Sequence, residues 1–261
     1  RHEPAAARTA LELGWALLLR DEASDAACYL EHAARCMPWD PDVLQRVGLG
    51  LAQRDPDAGR DYLLRSLAVA PDRMELVLRL LPPTIDGRML LERLLANEAA
   101  EGWMWLEIAA AMRRSGHGDL ALAAADKALE RDGRLALAVG FERILSLCEQ
   151  GAYKMALAES LVMEGRFPEE KAGYEGGGLA LAGLGRLEEG LERLLHATRL
   201  ASRDPWVWVH LGDLYLEMDR PYPAMDAYSK AVELHVEPDV VKDRLRKAAV
   251  RVSEAMRESG S

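Results

Sequence analysis

The segment DPWVWVHLGDLYLEMDRPYPAMDAYSKAVELHVEP, residues 204–238, reads as two helices and two turns. Asp204 suits an N-cap, and Pro205 suits the first helical turn, where its missing N–H costs nothing. Trp208, Leu211, Gly212 and Tyr215 follow at i, i+3, i+4 and i+7, a single helical stripe. Asp219-Arg220-Pro221 breaks that helix. A second helix carries Ala224, Tyr228, Ala231 and Leu234 on one face, and Pro238 closes the segment. A glycine or alanine at the helix crossing lets the backbones approach, with aromatic side chains filling the space beside it. Enlarging Gly212 is therefore expected to overpack the crossing, at a cost of roughly 1–3 kcal/mol.

The segment repeats. Gly178 and Gly212 stand 34 residues apart, as do Tyr174 and Trp208, Leu181 and Tyr215, Gly190 and Ala224, Leu194 and Tyr228, Ala197 and Ala231, and Leu200 and Leu234. A period of this size means one small unit stacked on copies of itself. It points function toward binding rather than chemistry.

Bulk composition agrees. The 261-residue chain is 49% hydrophobic, enough for a substantial core, and Ala, Leu, Glu and Arg dominate, which favours helix. A formal charge of −10 argues against nucleic-acid binding, which needs a basic stripe, and against adhesion to an anionic membrane. No apolar run reaches the roughly 18 residues that span a bilayer. Ala10–Leu19 is short, and Glu12 interrupts it. The chain begins at Arg1 and ends Glu258-Ser-Gly-Ser, which reads as a soluble piece of a longer protein, with an anchor or signal outside it left open. Cys28, Cys36 and Cys148 cannot all pair within one chain, and free thiols favour a reducing compartment, the cytoplasm, over the periplasm.

Trp208-x2-Leu211-Gly212-x2-Tyr215, followed by Ala224, Tyr228 and Ala231, resembles the tetratricopeptide repeat. The resemblance implies an all-α solenoid, in which helical hairpins stack into a right-handed superhelix with a concave groove. It covers nearly the whole chain. The unit at about 171–204 carries Tyr174, Gly178, Leu181, Gly185, Gly190, Leu194 and Ala197. The one at about 137–170 has Ile144, Leu147, Gly151, Ala156 and Ser160, with Gly140 where an aromatic is usual. The unit at about 102–136 has Trp105, Ala109, Met112, Gly116, Ala121, Ala125 and Ala128. The first, about 7–40, has Leu13, Gly14, Leu17, Ala26, Leu30, Ala33 and Pro38; the second, about 41–72, has Leu44, Gly48, Leu51, Gly59, Leu63 and Pro71.

Residues 73–101 depart from the pattern. Pro82-Pro83 interrupts them, and they read as a degenerate hairpin, Met74–Leu81 plus Gly87–Ala96, or a bend between two sub-arrays. The expected organisation is thus about seven hairpins: N-terminal units over 1–72, the degenerate hairpin or bend over 73–101, four regular units over 102–238, and a capping helix and tail over 239–261. The capping helix, Asp239–Arg257, has an apolar stripe at Val241, Leu245, Ala248, Val252 and Ala255 or Met256. Lys242, Arg244, Arg246, Lys247 and Arg251 supply the polar outer face that a terminal cap requires.

No catalytic constellation is visible. The six histidines are scattered, and neither a His-Glu-x-x-His nor a Gly-x-x-x-x-Gly-Lys motif is present. Gly176-Gly177-Gly178 follows no strand, so it reads as close helix packing in a soft, mobile helix rather than a phosphate cradle. Cys28, His32 and Cys36 share one helix face, but a structural zinc site wants a fourth ligand, so they read as packing residues. Glu169-Glu170 and Glu188-Glu189 read as solvated faces. The expectation is a non-enzymatic chain with no cofactor and no metal.

In resembling proteins the groove is lined by the first helix of each hairpin. Carried onto this chain, those slots hold Leu11, Trp15 and Leu18; Asp42, Gln45 and Leu49; Trp103, Leu106 and Ala110; Phe141 and Leu145; Glu175 and Leu179; then Trp206, Val209 and Asp213. In Trp103-Met-Trp105 and Trp206-Val-Trp208 the second tryptophan takes the packing slot, and the first points about 200° away. Trp103 and Trp206 are therefore either spacers against the preceding unit or groove aromatics for a partner. Chaperone-binding relatives use Lys, Asn and Arg to clamp an acidic tail; Leu106, Glu107, Ala110, Glu175, Val209 and Asp213 cannot do so. The expected occupant is an apolar or amphipathic protein segment, with self-association also open. Arg-over-Lys bias fits a bacterial source. An alternative role is a component of a bacterial envelope or exopolysaccharide assembly and export complex, cytoplasmic, periplasmic or tethered from outside this chain.

Overall fold

The computed structural model describes residues 4–82, 85–96 and 101–259. Among them are fifteen α-helices and no strand. In chain order these are α1 (Pro4–Leu19), α2 (Ala23–Cys36), α3 (Pro41–Leu51), α4 (Pro56–Val69), α5 (Met74–Leu80), α6 (Gly87–Leu95), α7 (Gly102–Arg114) and α8 (Gly118–Arg131). Then come α9 (Ala136–Glu149), α10 (Tyr153–Arg166), α11 (Lys171–Gly183), α12 (Leu187–Leu200), α13 (Pro205–Glu217), α14 (Pro221–Glu233) and α15 (Pro238–Ser259). The chain divides into two compact units, Arg1–Leu135 and Ala136–Ser261. That division falls at the start of the unit read at 137–170, and α5 and α6 lie in the first unit.

Starts and stops follow local chemistry. Asp204 Oδ1 accepts from Trp206 N at 2.9 Å at the head of α13. Asp40 does the same for α3, taking the N–H groups of Asp42 and Val43 at 2.9 and 3.1 Å. Asp55 and Asp86 cap α4 and α6. The turns inside hairpins share one device. Gly151, Gly185 and Asp219 occur at the 34-residue spacing, and all have positive φ, at 72°, 75° and 54°. At each turn the next residue's N–H bonds back over the helix end, as Arg186 N does to Leu181 O at 2.9 Å and Arg220 N to Tyr215 O at 2.8 Å. A left-handed residue there satisfies carbonyls that the helix terminus would otherwise orphan.

Small residues sit at the crossings, as the pattern requires. A Cβ on Gly178 would stand 2.7 Å from Leu194 Cγ, and one on Gly48 would stand 2.8 Å from Leu63 Cγ. Gly140, which replaces the usual aromatic, faces Met163 of α10, whose thioether occupies the space that a ring would take. Gly176, Gly177 and Gly178 are all buried, against Ile144, Ser160 and Leu194 respectively. Close packing is the half of their expectation that the structure carries.

Three expectations need correction. Leu13 was expected in the packing stripe of α1 but is 45% exposed. Its equivalent, Leu211, packs on Leu191 and Leu194 of the preceding hairpin; no described hairpin precedes α1 to cover Leu13. Leu11, placed in the groove set, is buried instead, beside Leu30, Leu44 and Val47. Arg244 does not lie on the outer face of α15: its Nε donates to Asp213 Oδ1 at 2.8 Å, drawn inward by that carboxylate. Arg251 likewise reaches back, to Leu216 O and Asp219, while Val241 and Ala248 are buried as expected. Pro83 and the side chains of Ala255 and Met256 lie outside the described residues, as does the side chain of Pro238.

Candidate interaction surface

The first helices of the hairpins carry every residue expected to meet a partner. In the first unit, Trp103 opens α7 and is 58% exposed, its indole N–H donating to Glu101 Oε2 at 2.8 Å. Two residues on, Trp105 is fully buried, with Lys127 Nζ 5.2 Å from its ring centre. The helical rotation between the two explains the contrast. Leu106 and Ala110 are half-buried on the same helix. Trp15 of α1 is also half-buried, and its indole N–H is enclosed without a partner. Leu49 is buried. The two polar members of α3 are already occupied: Arg73 Nη1 donates to Asp42 Oδ1 at 2.6 Å and to Gln45 Oε1 at 3.3 Å. That bond holds the Asp42 carboxyl below its ordinary range, against the opposing effect of partial burial.

In the second unit, Trp206 of α13 is 48% exposed, and Trp208 is tucked in with its indole N–H on Ser202 O at 3.0 Å. Phe141 and Leu145 of α9 and Leu179 of α11 are half-buried. Two members of the expected set are closed off. Val209 is 0% exposed, packed with Ala224, Tyr228 and Val241. Glu175, also 0% exposed, is held by charge: it accepts from Lys171 Nζ at 2.5 Å and meets His210 Nδ1 at 2.8 Å. Neither can touch a partner in this arrangement. Asp213 is half-buried and accepts from Tyr228 Oη at 2.7 Å as well as from Arg244.

Lys171 completes this polar cluster. Its Nζ lies 2.8 Å from Asp204 Oδ2 and 5.2 Å from the centre of the Phe141 ring. Burial is the largest influence on Lys171 and lowers its pKa, but Glu175 and Asp204 together outweigh it and leave the pKa raised. Asp204 is the mirror case: burial pushes its carboxyl up, and Lys171 with the Trp206 N–H brings it below the ordinary value. Lys171, His210 and Arg73 are residues that the repeat pattern did not single out. The i, i+4 spacing of Lys171 and Glu175 was the available signal.

Cys28 is exposed, and Cys36 Sγ lies 3.5 Å from His32 Nε2. Among the described residues no group of three or more His, Cys, Asp or Glu side chains is gathered as a metal would need. Trp39, which the pattern did not mark, stands 72% exposed in the Pro38–Pro41 turn.

The architecture matches solved structures. A tetratricopeptide repeat protein from Parabacteroides merdae superposes with a TM-score of 0.54 at 13% identity, covering 94% of this chain and 99% of that one. The fold is that of the tetratricopeptide repeat. A thermophilic tetratricopeptide repeat protein of Thermus thermophilus gives 0.53 at 19% identity, over 81% of this chain and all of the other. No protein-family model matches the sequence, and no curated protein does. At such identities the likeness fixes the backbone of the repeats and leaves function to this chain's own side chains. No helix among the described residues is long and apolar enough to cross a membrane.

Proposed function

We propose that this chain is a non-enzymatic scaffold whose tetratricopeptide hairpins hold apolar or amphipathic segments of other proteins against the faces of their first helices. The observation that carries this reading is the paired placement of tryptophan. Each unit presents a half-open indole on a first helix, Trp103 on α7 and Trp206 on α13, two residues ahead of a tryptophan committed to packing. A spacer between hairpins would be covered; an exposed indole on a fixed helix is a low-entropy anchor.

The neighbouring side chains favour apolar contact. Leu106 and Ala110 lie along α7 beyond Trp103, and Phe141 and Leu145 line α9. Asp42 in the first unit, and Glu175, Lys171 and Asp213 in the second, are engaged within the chain, so on each unit a partner meets hydrophobic surface and paired polar groups rather than a cationic clamp. The net negative charge selects neutral or basic segments over acidic ones.

The test is capture from a lysate of the source organism with the wild-type chain and with Trp103→Ala and Trp206→Ala. Specific proteins retained by wild type and lost by either variant, at unchanged helicity, support the reading. Retention unaffected by both substitutions refutes the anchoring role of the indoles.

A further inference from the structure

α10 departs from the other second helices of the array. On α12 the open positions are Glu188, Glu189, Glu192 and Arg199, a solvated face of the ordinary kind. On α10 they are Lys154, Met155, Ala158, Leu161, Val162, Gly165 and Arg166. Met155 is 63% exposed, Leu161 49% and Val162 67%. Both carboxylates of the helix turn aside: Glu159 accepts from Arg143 Nε at 2.8 Å, and Glu164 pairs with Arg193. An apolar strip remains, with one cation near each end.

We propose that this strip is a contact between two copies of the chain, α10 packing antiparallel on α10 about a two-fold axis at Ala158. The spacing is self-complementary. Met155 lies three residues before Ala158, and Leu161 and Val162 lie three and four after it. An antiparallel pair centred on Ala158 sets Met155 of each copy against Leu161 and Val162 of the other. The contacts are reciprocal, as in an isologous interface, and the two Ala158 side chains at the axis are small enough for close approach.

Area sets the strength. The three large side chains expose roughly 300 Å² per copy, the lower end of the range of largest apolar patches on soluble proteins, which are often functional. Two copies bury about 600 Å², well under the ~1,200 Å² of a stable interface. The association is therefore weak and concentration-dependent. Charge sets its salt response. The two-fold sets Lys154 of one copy only four residues, about 6 Å along the helices, from Arg166 of the other, within the screening length of ~8 Å at physiological salt. Like charges at the rim make added salt strengthen the pairing. An acidic helix from another protein, docking on the same cations, would be weakened by salt.

Sedimentation of the full chain at concentrations up to about 200 µM, at low and high salt, tests the proposal. The expected result is a mass rising from 28.8 kDa toward twice that value with concentration, more steeply at high salt. Val162→Glu, at an exposed position, should hold the mass at one copy with an unchanged melting curve. In a background of Cys28→Ser and Cys36→Ser, Ala158→Cys should form a disulfide between copies under mild oxidation, whereas Lys154→Cys should not. A chain that stays single at every concentration and salt overturns the proposal, as does association that Val162→Glu leaves intact. Association without cross-linking at Ala158→Cys overturns the two-fold geometry.

Discussion

Gly212 faces the ring of Tyr228 so closely that a Cβ at residue 212 would stand 2.5 Å from Tyr228 Cε1. The ring cannot retreat easily, because it is fully buried and its hydroxyl is held by Asp213 at 2.7 Å. Gly212→Ala should therefore destabilise the chain by about 1–3 kcal/mol, read as a lower urea midpoint. Gly133 is the control: nothing lies within 4 Å of the Cβ it lacks, and its φ is not positive. Gly133→Ala should leave the midpoint almost unmoved, and equal losses at both sites would refute the crossing as the cause.

Trp103 and Trp105 should separate binding from stability. Trp105 is buried with its indole N–H unpartnered, so its value to the fold is packing. Trp105→Ala should cost about 3–5 kcal/mol. Trp103→Ala removes a side chain that is more than half in solvent, and should stay within about 0.5 kcal/mol of wild type. Thermal unfolding of the two variants, side by side, gives the comparison. A large loss at Trp103 would return that residue to the role of a spacer.

Much of the fold is legible in spacing alone. The 34-residue period locates the crossings at Gly178 and Gly212, and Asp204-Pro205 marks a helix start that the structure caps as expected. The two short helices read at Met74–Leu81 and Gly87–Ala96 are observed at Met74–Leu80 and Gly87–Leu95, but α5 packs on α7 and α6 on α4 and α8 more than on each other. The candidate surface was less legible. A repeat template assigns slots but not occupancy, and Glu175 looked like a groove residue because its partners fall outside the template. Lys171 reaches it within the helix, and His210 from 35 residues away, one residue off the period. Val209 was misplaced because α14 and α15 close over it, a contact between elements that no single helix pattern encodes.

The Lys171–Glu175–Asp204 cluster should act as a two-sided pH brace. Asp204 is depressed in the folded chain, so its contribution is present above the unfolded value of ~3.9 and is lost as pH falls through the folded pKa. Lys171 is raised, so its contribution is present below ~10.4 and is lost as pH rises through the folded value. Lys171→Met removes the alkaline limb and the lysine's share of the acid one, leaves Glu175 buried without its lysine, and should cost about 3–5 kcal/mol near neutral pH. Adding Glu175→Leu should recover much of that loss. Urea midpoints measured across the pH range check both statements; a double variant no better than the single would show that His210 alone sustains the carboxylate.

Thiol chemistry gives a last, independent check on the packing of α9. Cys148 lies near the end of that helix, half-buried, and burial with the adjacent Glu149 pushes its pKa up to about 12. The thiolate is the reactive form, so near pH 8 only about one Cys148 in ten thousand is poised to react. Cys28 is exposed on α2, with no such enclosure. Titration of the native chain with a disulfide reagent, with sites assigned by mass spectrometry, should modify Cys28 early and Cys148 last. Unfolding in urea should bring Cys148 to the rate of the others, because the suppression comes from the fold rather than from sequence. If Cys148 reacted as fast as Cys28 before unfolding, the end of α9 would have to be open to solvent, and the burial assigned to it there would be wrong.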